Sequence, residues 1–432
     1  MTKRDALTPE QRHVVSRGVI EIIPEEDFIE ALRSGRKLRL KLGLDPSKPD
    51  LHIGHAVLLR KLRLLQDMGH QVVLIVGDWT ARIGDPSGQS IMRPMITPEE
   101  VAANAETYMR QFFHVVDQER TEVRWQSEWF GKTFQLDDLM RLAARFTVAQ
   151  MLQREDFRTR YEAHQPLGVH ELLYPMLQAY DSVAIEADVE FGGSDQLFNL
   201  LVGRELQQDL GQQPQSCFIM KLLVGTDGSQ KMSKSLGNTV DFEDPPNEKY
   251  GKIMSIPDSA LMDYLGLATD IPDEELALIR KQLDDRAVNP MEIKKRLARE
   301  IVAQFHGEAA AQEAEGEFAM TYRDHQDGEY IFLPEGTVDV VIGGQANEVN
   351  LAKLLVEAAL ASSATDARRL IRQGAVQLFG EGSGIPPWET SVRVVSPKRI
   401  DSPTLSVKPG DVLRVGKHRF LRIVDSESTP TS

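Results

Sequence analysis

The chain contains 432 residues, of which 41% are hydrophobic and 27% charged, and its formal net charge at pH 7 is −15. This composition is typical of a folded enzyme and excludes a disordered chain, while the length predicts two to four domains. No apolar stretch reaches the length of a membrane span, the N-terminus lacks the apolar core of a signal peptide, and the single cysteine, Cys217, excludes an internal disulfide framework. We therefore expect a cytoplasmic protein without a membrane segment.

The first predicted region, residues 1–240, is α/β. After a helical lead-in, five candidate strands alternate with helical patterns, at residues 38–44, 71–77, 122–126, 187–191 and 216–223. Such alternation predicts a doubly wound, Rossmann-like parallel sheet that binds ligands at the carboxyl ends of its strands. Residues from about 99 to 181 are mostly helical in pattern, and we interpret them as an insertion between the two halves of the sheet.

The rest of the chain divides into smaller parts. We predict a helical domain, a linker, a small α+β domain and a flexible tail, at residues 241–326, 327–349, 350–425 and 426–432 respectively. Pro290 and Glu292 make a good helix start within the helical domain. The linker lacks helical periodicity and contains several Gly and Pro residues. Two short helices, at 351–360 and 366–373, open the α+β domain.

The charge is unevenly distributed. Between residues 351 and 424, twelve Lys or Arg stand against six Asp or Glu, a local charge of +6 that leaves −21 for the remainder. The negative net charge alone argues against nucleic acid as a partner. A basic C-terminal module on an acidic body, however, is typical of a nucleic-acid-binding domain.

The tetrapeptide His52-Ile53-Gly54-His55 follows the first candidate strand and a Pro-rich turn at residues 45–49. Histidines three residues apart share one face of a helix turn, and Gly54 leaves bare backbone that a flat ring can approach. Helix N-termini carry unpaired N–H groups and partial positive charge. The pattern therefore predicts a corner that binds the phosphates of a nucleotide.

A second motif, Lys231-Met232-Ser233-Lys234-Ser235, places two lysines three apart in a Gly- and Ser-rich stretch. We interpret it as a mobile cationic loop that clamps the same nucleotide. The chain has no GxxxxGK[ST] loop and no Cys/His cluster with zinc spacing, so we predict neither a Walker-type ATPase nor a metal site.

Three further segments carry polar residues where the predicted sheet places its ligands. Gly84-Asp85-Pro86-Ser87-Gly88 is either an ordinary turn or a site where Asp85 binds an ammonium group. Gly192-Gly193-Ser194-Asp195-Gln196 is either a tight turn or a place where the backbone approaches a ligand and Asp195 binds a ribose hydroxyl.

The third segment is helical. Tyr174, Gln178 and Asp181 are spaced i, i+4 and i+7, so their polar ends lie along one helix face. A small ligand with an amine and a hydroxyl group would satisfy them. The alternative is a solvated face, with the neighbouring Tyr180 buried instead.

In order and in register, these segments resemble the class I aminoacyl-tRNA synthetases, and among them the bacterial tyrosyl-tRNA synthetases. Residues 52–55 and 231–235 match the two class I signatures to the letter. Residues 366–374, Asp-Ala-Arg-Arg-Leu-Ile-Arg-Gln-Gly, are similar to the S4-type RNA-binding module of those enzymes. The resemblance extends from about residue 38 to the last predicted strand.

The resemblance implies a two-step reaction without a prosthetic group. L-Tyrosine and ATP, the latter with Mg²⁺, form tyrosyl-adenylate and pyrophosphate, and the tyrosyl group then passes to the 3′ adenosine of tRNA(Tyr). The resemblance also implies a homodimer, and it assigns anticodon binding to the helical domain at 241–326 and RNA binding to the S4 domain at 350–425.

The resemblance further implies a role for each candidate residue. In the tyrosine pocket, the amino group is bound by Asp85, Tyr174 and Gln178, the phenolic hydroxyl by Asp181 and the carboxylate by Gln196. Those of the ATP site are Asp45, Ser47, His52, Gly54 and His55, with Asp195 on the ribose and Lys231 and Lys234 on the departing pyrophosphate. His52, His55, Lys231 and Lys234 are the implied catalytic residues, and Arg368, Arg369 and Arg372 are the implied tRNA contacts, unless those arginines form only a solvated helix face.

One position departs from the family pattern. Many members place a tyrosine two residues before Gly43, as a second partner for the substrate hydroxyl, and this chain has Lys41. Either Asp181 acts alone, or Lys41 points elsewhere and another group or a water assists.

Three alternatives remain at this stage. A tryptophanyl-tRNA synthetase shares the fold and both signatures, but an acid at position 181 suits a ring that bears a hydroxyl. A nucleotidyltransferase with a His-x-Gly-His corner has no need of an RNA-binding module. A non-catalytic RNA-binding protein on a decayed synthetase scaffold does not require every signature residue to be intact.

Overall fold

The computed structural model describes most of the chain, in two compact units, Met1–Ala311 and Gln312–Ser432. The described residues are 3–47, 50–86, 95–131, 134–327, 330–332, 337–342, 347–379, 391–393, 398–400, 402–409, 411–416 and 419–425. Ser87 and Gly88 of one candidate motif lie outside them, as does the predicted tail at 426–432. Within the described residues, no helix combines the length and the apolar content that a membrane span needs.

The first unit is built on a six-stranded sheet. Its strands are β1 (Val19–Ile23), β2 (Arg39–Leu44), β3 (Gln71–Val76), β4 (Thr121–Trp125), β5 (Val189–Gly193) and β6 (Ser216–Met220). Their order is β1-β6-β5-β2-β3-β4, and all neighbours are parallel except β1 and β6. The order reverses between β2 and β5, so the carboxyl ends of these two strands flank the crevice where such sheets bind ligands.

All five predicted strands are present, and the predicted parallel α/β class is confirmed. The prediction of a helical lead-in was incomplete. This region also contains a strand, β1, which pairs antiparallel with β6 at the edge of the sheet. Its burial pattern does not alternate regularly, with Ile20 and Glu21 exposed and Ile22 buried. An edge strand with such a pattern lacks the periodicity that identifies a strand from sequence.

Helices connect and cover these strands. They are α1 (Pro9–Ser16), α2 (Glu25–Arg33), α3 (Ile53–Asp67), α4 (Thr80–Ile83), α5 (Pro98–Phe112), α6 (Leu136–Ala143), α7 (Val148–Met151), α8 (Glu155–Glu162), α9 (Val169–Ala184), α10 (Leu197–Asp209), α11 (Pro246–Met254), α12 (Leu261–Ala268), α13 (Asp273–Asp284) and α14 (Pro290–His306). The start predicted for α14 agrees with the structure, since Asn289 caps the helix by accepting the backbone N–H of Met291 at 3.0 Å.

The centre of the sheet is buried on both faces. Val72, Val73, Leu74 and Ile75 of β3 are at most 1% exposed. This continuous burial explains why β3 is apolar without alternation, as in other parallel sheets that are covered by helices on each side. The strand therefore holds the loops at its carboxyl end on a rigid base.

The second unit contains the C-terminal part of α15 (Glu308–Asp327) and a small α+β fold. Its other elements are β7 (Tyr330–Phe332), β8 (Val338–Ile342), β9 (Asn347–Asn350), α16 (Leu351–Glu357), α17 (Ala364–Arg372), β10 (Val376–Phe379), β11 (Ser391–Arg393), β12 (Lys398–Arg399), β13 (Thr404–Val407), β14 (Val412–Val415) and β15 (Arg419–Asp425). Five strands form a sheet in the order β12-β10-β14-β15-β8. Leu355 of α16 and Ile371 of α17 pack with Leu413 and Leu421 of this sheet in one core.

The segment predicted as a linker, 327–349, contains ordered structure. Its strand β8 pairs in parallel with β15, from Val338 opposite Leu421 to Ile342 opposite Asp425. This short strand, rich in Val and Ile, was not predicted because the flanking Gly and Pro residues are typical of a linker. The helices α11 to α14 belong to the first unit, and their assignment to a separate anticodon-binding domain stays a prediction.

Candidate active site

The crevice between β2 and β5 has an open floor at Gly43. This residue is exposed although β2 is a central strand, and no atom lies within 4 Å of the position that a Cβ would take. The segments that follow β2 and β5 carry Asp45 and Asp195, and α3 begins beside them. The predicted ligand residues thus meet at the edge of the sheet that such folds use for binding.

The two histidines of the first signature are in contact at the start of α3, with their rings tilted by 38°. Their ring centroids are 3.9 Å apart, and Nδ1 of His55 accepts the backbone N–H of His52 at 3.1 Å. Because this nitrogen is an acceptor, neutral His55 carries its proton on Nε2. A Cβ at position 54 would lie 2.9 Å from Nδ1 of His52, so the glycine preserves the position of that ring.

Both histidines are neutral at physiological pH. Burial lowers the pKa of His52 well below its ordinary value, and it lowers that of His55 to about 4. The charges of Lys234 and Lys231 lower both pKa values further. The histidines therefore offer uncharged N–H groups, and the positive charge of this corner resides on the lysines.

The second signature lies against the first. Met232 is near Gly54, with its Cβ 3.7 Å from the position of a Cβ at residue 54. Lys231 Nζ donates to Asp195 Oδ2 at 3.0 Å, and Lys234 Nζ donates to Asp50 Oδ2 at 2.6 Å. The structure thus brings both predicted lysines to the crevice, where each is paired with a carboxylate.

The loop that carries these lysines is anchored by a residue that sequence reasoning missed. Asn238 Oδ1 accepts the backbone N–H of Ser233 at 2.8 Å, and its Nδ2 donates to the carbonyl of Lys231 at 3.2 Å. Asn238 also bonds Asp227, which accepts the N–H groups of Ser229 and Gln230. The Asp227-Gly228 turn was the available signal for this anchor. Mobility of the loop stays a prediction.

Asp181 is the last of the three predicted pocket residues along α9 and is 2% exposed. Its Oδ2 accepts Nε2 of Gln126 at 2.8 Å, and its Oδ1 accepts Nε1 of Trp129 at 3.1 Å. Burial raises the pKa of Asp181 to about 7, against the opposing charge of Lys41. Gln126 and Trp129 were missed in the sequence, although they follow β4 at the carboxyl edge where side chains converge.

Lys41 is engaged by protein groups on α9 and β5. It is fully buried, and its Nζ contacts the carbonyl of Gln178 at 2.8 Å, Ser182 Oγ at 2.7 Å and Glu190 Oε1 at 2.9 Å. An ammonium has three hydrogens, and three acceptors surround this one. Of the two possibilities left by the sequence, Lys41 therefore points elsewhere, into a buried ion pair with Glu190.

The other end of the pocket joins Tyr174 to Asp45. Tyr174 donates its hydroxyl to Asp45 Oδ2 at 2.8 Å, while Asp45 Oδ1 accepts the hydroxyl of Thr80 at 2.7 Å. Burial, with the charges of Asp45 and Asp85, raises the pKa of Tyr174 well above its ordinary value. The phenol is therefore a permanent donor, and it fixes Asp45 beside the nucleotide corner.

Asp85, Gln178 and Gln196 are joined through one buried residue. Gln196 Nε2 donates to Asp85 Oδ2 at 2.7 Å. Asn199, which is 1% exposed, donates from Nδ2 to Gln178 Oε1 at 3.0 Å and to Gln196 Oε1 at 2.9 Å. Asn199 thus joins Gln178 to Gln196, and Gln196 joins Asp85; no local sequence pattern indicates this role of Asn199.

Comparison with known proteins identifies the fold and its family. A family model described as tRNA synthetases class I (W and Y) matches residues 33–323, which include both signatures. A tyrosine–tRNA ligase of Dehalococcoides mccartyi (strain CBDB1) is 52% identical over 411 residues, covering 95% of this chain and 98% of that protein. The chain belongs to the class I tRNA synthetases. The alternative of a His-x-Gly-His nucleotidyltransferase is therefore wrong.

Other members of this family support the same conclusion. A tyrosine–tRNA ligase of Thermotoga maritima is 46% identical over 426 residues, covering 98% of this chain and 99% of that protein. The crystal structure of a tyrosyl-tRNA synthetase from Archaeoglobus fulgidus, complexed with L-tyrosine, matches with a TM-score of 0.58 at 22% identity, covering 70% of this chain and 98% of that one. The crystal structure of a C-terminally truncated mitochondrial tyrosyl-tRNA synthetase from Aspergillus nidulans matches with a TM-score of 0.60 at 23% identity, covering 73% of this chain and 95% of that one. At these identities the solved structures show the fold alone.

The remaining predicted residues lie as follows. Ser47 is in the turn after β2, where its N–H contacts the carbonyl of Asp45 at 2.7 Å. Arg368, Arg369 and Arg372 are exposed on α17 of the second unit, and Arg369 pairs with Asp366 at 2.6 Å. Among the described residues, no group of three or more His, Cys, Asp or Glu is arranged to hold a metal ion.

Proposed function

We propose that this synthetase activates L-tyrosine with ATP and transfers it to tRNA(Tyr), as a tyrosine–tRNA ligase. The observation that carries the proposal is Asp181, a buried acceptor held by Gln126 and Trp129 at one end of the pocket. A ligand without a hydroxyl would exclude water from this carboxylate without giving it a further donor in return, which is costly. The names of the relatives, tyrosine–tRNA ligases at 46–52% identity over nearly the whole chain, agree with this selectivity.

In the first step, the tyrosine carboxylate attacks the α-phosphorus of ATP, and the bond to the β-phosphate oxygen breaks to release pyrophosphate. Since the substrate supplies the nucleophile, the protein needs no activated side chain. Its task is to align two anions and to stabilise the charge that grows on the leaving group. ATP enters with Mg²⁺ as the substrate complex, which is how phosphates commonly hold this ion.

Each polar group has a part in this step. Tyr174, Gln178 and Asp85 hold the ammonium group, and Gln196 orients the carboxylate. Neutral His52 and His55, with Ser47 and the bare backbone at Gly54, bind the phosphates, and Asp45 lies near the nucleotide. Lys231 and Lys234 bind the departing pyrophosphate. When Lys231 leaves Asp195 to do so, Asp195 binds the ribose.

In the second step, a hydroxyl of the 3′ adenosine of tRNA attacks the tyrosyl carbonyl and AMP leaves. The basic C-terminal module supplies part of the RNA contact, with Arg368, Arg369 and Arg372 on phosphates. Their exposure on one helix supports this role. A cytoplasmic location, where all three substrates meet, remains part of the proposal.

The exchange of pyrophosphate into ATP tests amino-acid selection. We expect exchange with tyrosine, and a loss of more than about 100-fold in kcat/KM in Asp181→Ala, because a charged hydrogen bond is removed and two buried donors lose their acceptor. Asp209→Ala, at an exposed position on α10, is the control. Exchange with tryptophan instead of tyrosine, or an unaffected Asp181→Ala enzyme, would contradict the proposal.

Salt dependence of tRNA charging tests the arginines. Replacing Arg368, Arg369 and Arg372 by Ala should leave pyrophosphate exchange unchanged, weaken tRNA binding and reduce the slope of log affinity against log salt by up to about 2, or roughly 0.7 for each phosphate contact. Arg33→Ala/Lys37→Ala in the first unit is the control. An unchanged slope of log affinity against log salt would show that the arginines of α17 face solvent and do not contact the RNA.

A homodimer is the proposed assembly. Five apolar residues are more than 60% exposed within a 34-residue stretch of the first unit, Leu136, Met140, Val148, Tyr161 and Val169. Exposed large apolar side chains are typical of interfaces, and a second copy of the chain is the occupant we propose. Leu136→Asp/Met140→Asp should yield a monomer in sedimentation, and Leu278→Asp should not; an unchanged dimer would place the interface elsewhere.

A further inference from the structure

Asn199 is buried beneath the part of the pocket assigned to the amino and carboxylate groups. It lies in the first turn of α10, which follows β5. Gln178 on α9 and Gln196 just before α10 lie above it and are partly exposed toward the crevice. Both are proposed to contact substrate, whereas Asn199, at 1% exposure, is out of its reach.

One amide nitrogen fixes both glutamines. Asn199 Nδ2 donates to Gln178 Oε1 at 3.0 Å and to Gln196 Oε1 at 2.9 Å, so both of its hydrogens are used. Each glutamine then turns its own nitrogen away, Gln178 Nε2 to Glu190 Oε1 at 3.1 Å and Gln196 Nε2 to Asp85 Oδ2 at 2.7 Å. Donor and acceptor alternate consistently along the whole path.

The orientation of Asn199 is itself fixed by a cation. Its Oδ1 accepts Nη1 of Arg154 at 3.0 Å, and the same guanidinium reaches Asp85 Oδ1 at 3.4 Å. Asn199, Gln196, Asp85 and Arg154 therefore form a closed ring of side chains. An arginine is always a donor, so the asparagine oxygen must face it and the asparagine nitrogen must face the glutamines.

We propose that Asn199 is a positioning residue that sets the amide orientation of Gln178 and Gln196. This inference rests on the proposed function, in which Gln178 meets the substrate ammonium and Gln196 the carboxylate. An ammonium needs an oxygen and a carboxylate needs an N–H, and the bonds from Asn199 hold the amides of Gln178 and Gln196 in the orientation that provides them. A reversed amide would oppose the charge of its ligand group.

The test is a ligand series on the full-length protein. Tyrosine carries both end groups, tyramine only the ammonium, 3-(4-hydroxyphenyl)propionate only the carboxylate, and 4-ethylphenol neither. In Asn199→Ala we expect affinity to fall about tenfold for each ligand with one end group and up to about 100-fold for tyrosine, the range for hydrogen bonds to charged groups. Binding of 4-ethylphenol should change less than twofold. Gln208→Ala, an exposed amide on α10, is the matched control.

A second variant separates orientation from packing. Asn199→Asp keeps the side-chain volume and the acceptor for Arg154 but presents an oxygen to both glutamine oxygens. We expect tyrosine affinity to fall at least tenfold in this variant, whereas a residue that only fills space would tolerate it. Near-normal tyrosine affinity in Asn199→Asp, or equal losses for all four ligands in Asn199→Ala, would overturn the inference.

Failure of the inference can be distinguished from failure of the proposed function. If the unmodified protein does not support tyrosine-dependent pyrophosphate exchange, the proposed function fails. If it does, and Asp85→Asn selectively weakens tyrosine and tyramine while the Asn199 variants do not discriminate among the ligands, only the role of Asn199 fails. Thermal unfolding of each variant is measured first, and if Asn199→Ala does not fold, Asn199→Asp decides the result by the ratio of tyrosine to 4-ethylphenol affinity.

Discussion

The predicted tyrosine pocket and the predicted nucleotide corner lie at the same edge of one sheet, but their ion pairs differ in burial. Behind the pocket, Lys41 and Glu190 are 2.9 Å apart, with side chains 0% and 1% exposed. At the nucleotide corner, Lys231 and Asp195 are 3.0 Å apart, with side chains 40% and 25% exposed. Similar distances therefore describe pairs in very different surroundings.

This difference fits the two tasks of the site. A pocket that selects tyrosine benefits from groups that cannot move, and breaking a buried pair by removing one partner is strongly destabilising. A corner that meets ATP must let its cations change partners when pyrophosphate forms. Solvent-screened pairs such as Lys231–Asp195 contribute at most about 1 kcal/mol, so Lys231 can exchange a carboxylate for a phosphate at little cost.

The buried pair gives the largest expected effect. Lys41→Met leaves Glu190 charged and buried, so the free energy of unfolding should fall by about 3–5 kcal/mol. Denaturant unfolding measures this loss, with the exposed Lys37→Met as control. Lys41→Met/Glu190→Met should recover most of it, because neither charge of this pair is then left without its partner. A loss below about 1 kcal/mol in the single variant would show that Glu190 does not depend on Lys41.

At the nucleotide corner, substitution should affect chemistry rather than folding. Lys234→Ala removes a cation from the leaving group, and donors of this kind contribute about 100- to 1,000-fold to kcat. Pyrophosphate exchange should fall by this factor, whereas tyrosine binding and thermal stability should stay near those of the unmodified protein. Lys221→Ala, at another exposed ion pair, is the control. A matching loss of tyrosine affinity would mean that the two halves are not independent.

The spatial grouping of the residues assigned to the nucleotide was easier to predict from the sequence than that of the residues assigned to tyrosine, for a physical reason. His52 and His55 are neighbours on one helix turn, and Lys231 and Lys234 lie in one loop, so each pair is specified locally. Asp181 was also predicted, since it shares a helix face with Tyr174. Its partners Gln126 and Trp129 follow β4, far from Asp181 in the sequence, and no local sequence pattern predicts such a contact.

The fold shows the same limit. Strands such as β3 are identified by their own apolar residues, and five of the six in the first sheet were predicted. The edge strand β1 and the short β8 take their identity from pairing with distant segments. Lys41 and Asn199 are similar cases, because their partners are set by packing between elements and not by sequence spacing.

The pH dependence of tyrosine binding tests whether the ionised carboxylate of Asp181 binds the substrate. Burial raises the pKa of Asp181 to about 7, so the carboxylate becomes protonated as pH falls below that value. Its two bonds from Gln126 and Trp129 and the substrate hydroxyl all require an acceptor. The KM for tyrosine should therefore be about tenfold higher at pH 6 than at pH 8, since each unit below the pKa reduces the ionised fraction about tenfold. Asp181→Asn should show no such dependence, and a flat profile in the unmodified enzyme would place another group at the hydroxyl.

The smallest expected effect comes from Asp50, which holds Lys234 in the absence of substrate. The pair is 2.6 Å long, and its side chains are 20% and 32% exposed for Lys234 and Asp50. Asp50→Asn removes a competitor of the phosphates, so the KM for ATP should fall, by no more than about fivefold, which corresponds to about 1 kcal/mol for a partly exposed, solvent-screened pair. Asp241, 3.4 Å from the same ammonium, keeps Lys234 near the crevice. Tyrosine binding should not change, and Asp263→Asn, which releases Lys221, is the control. A KM for ATP that rises several-fold would show instead that Asp50 positions the lysine for catalysis, and the nucleotide corner would then resemble the preorganised pocket.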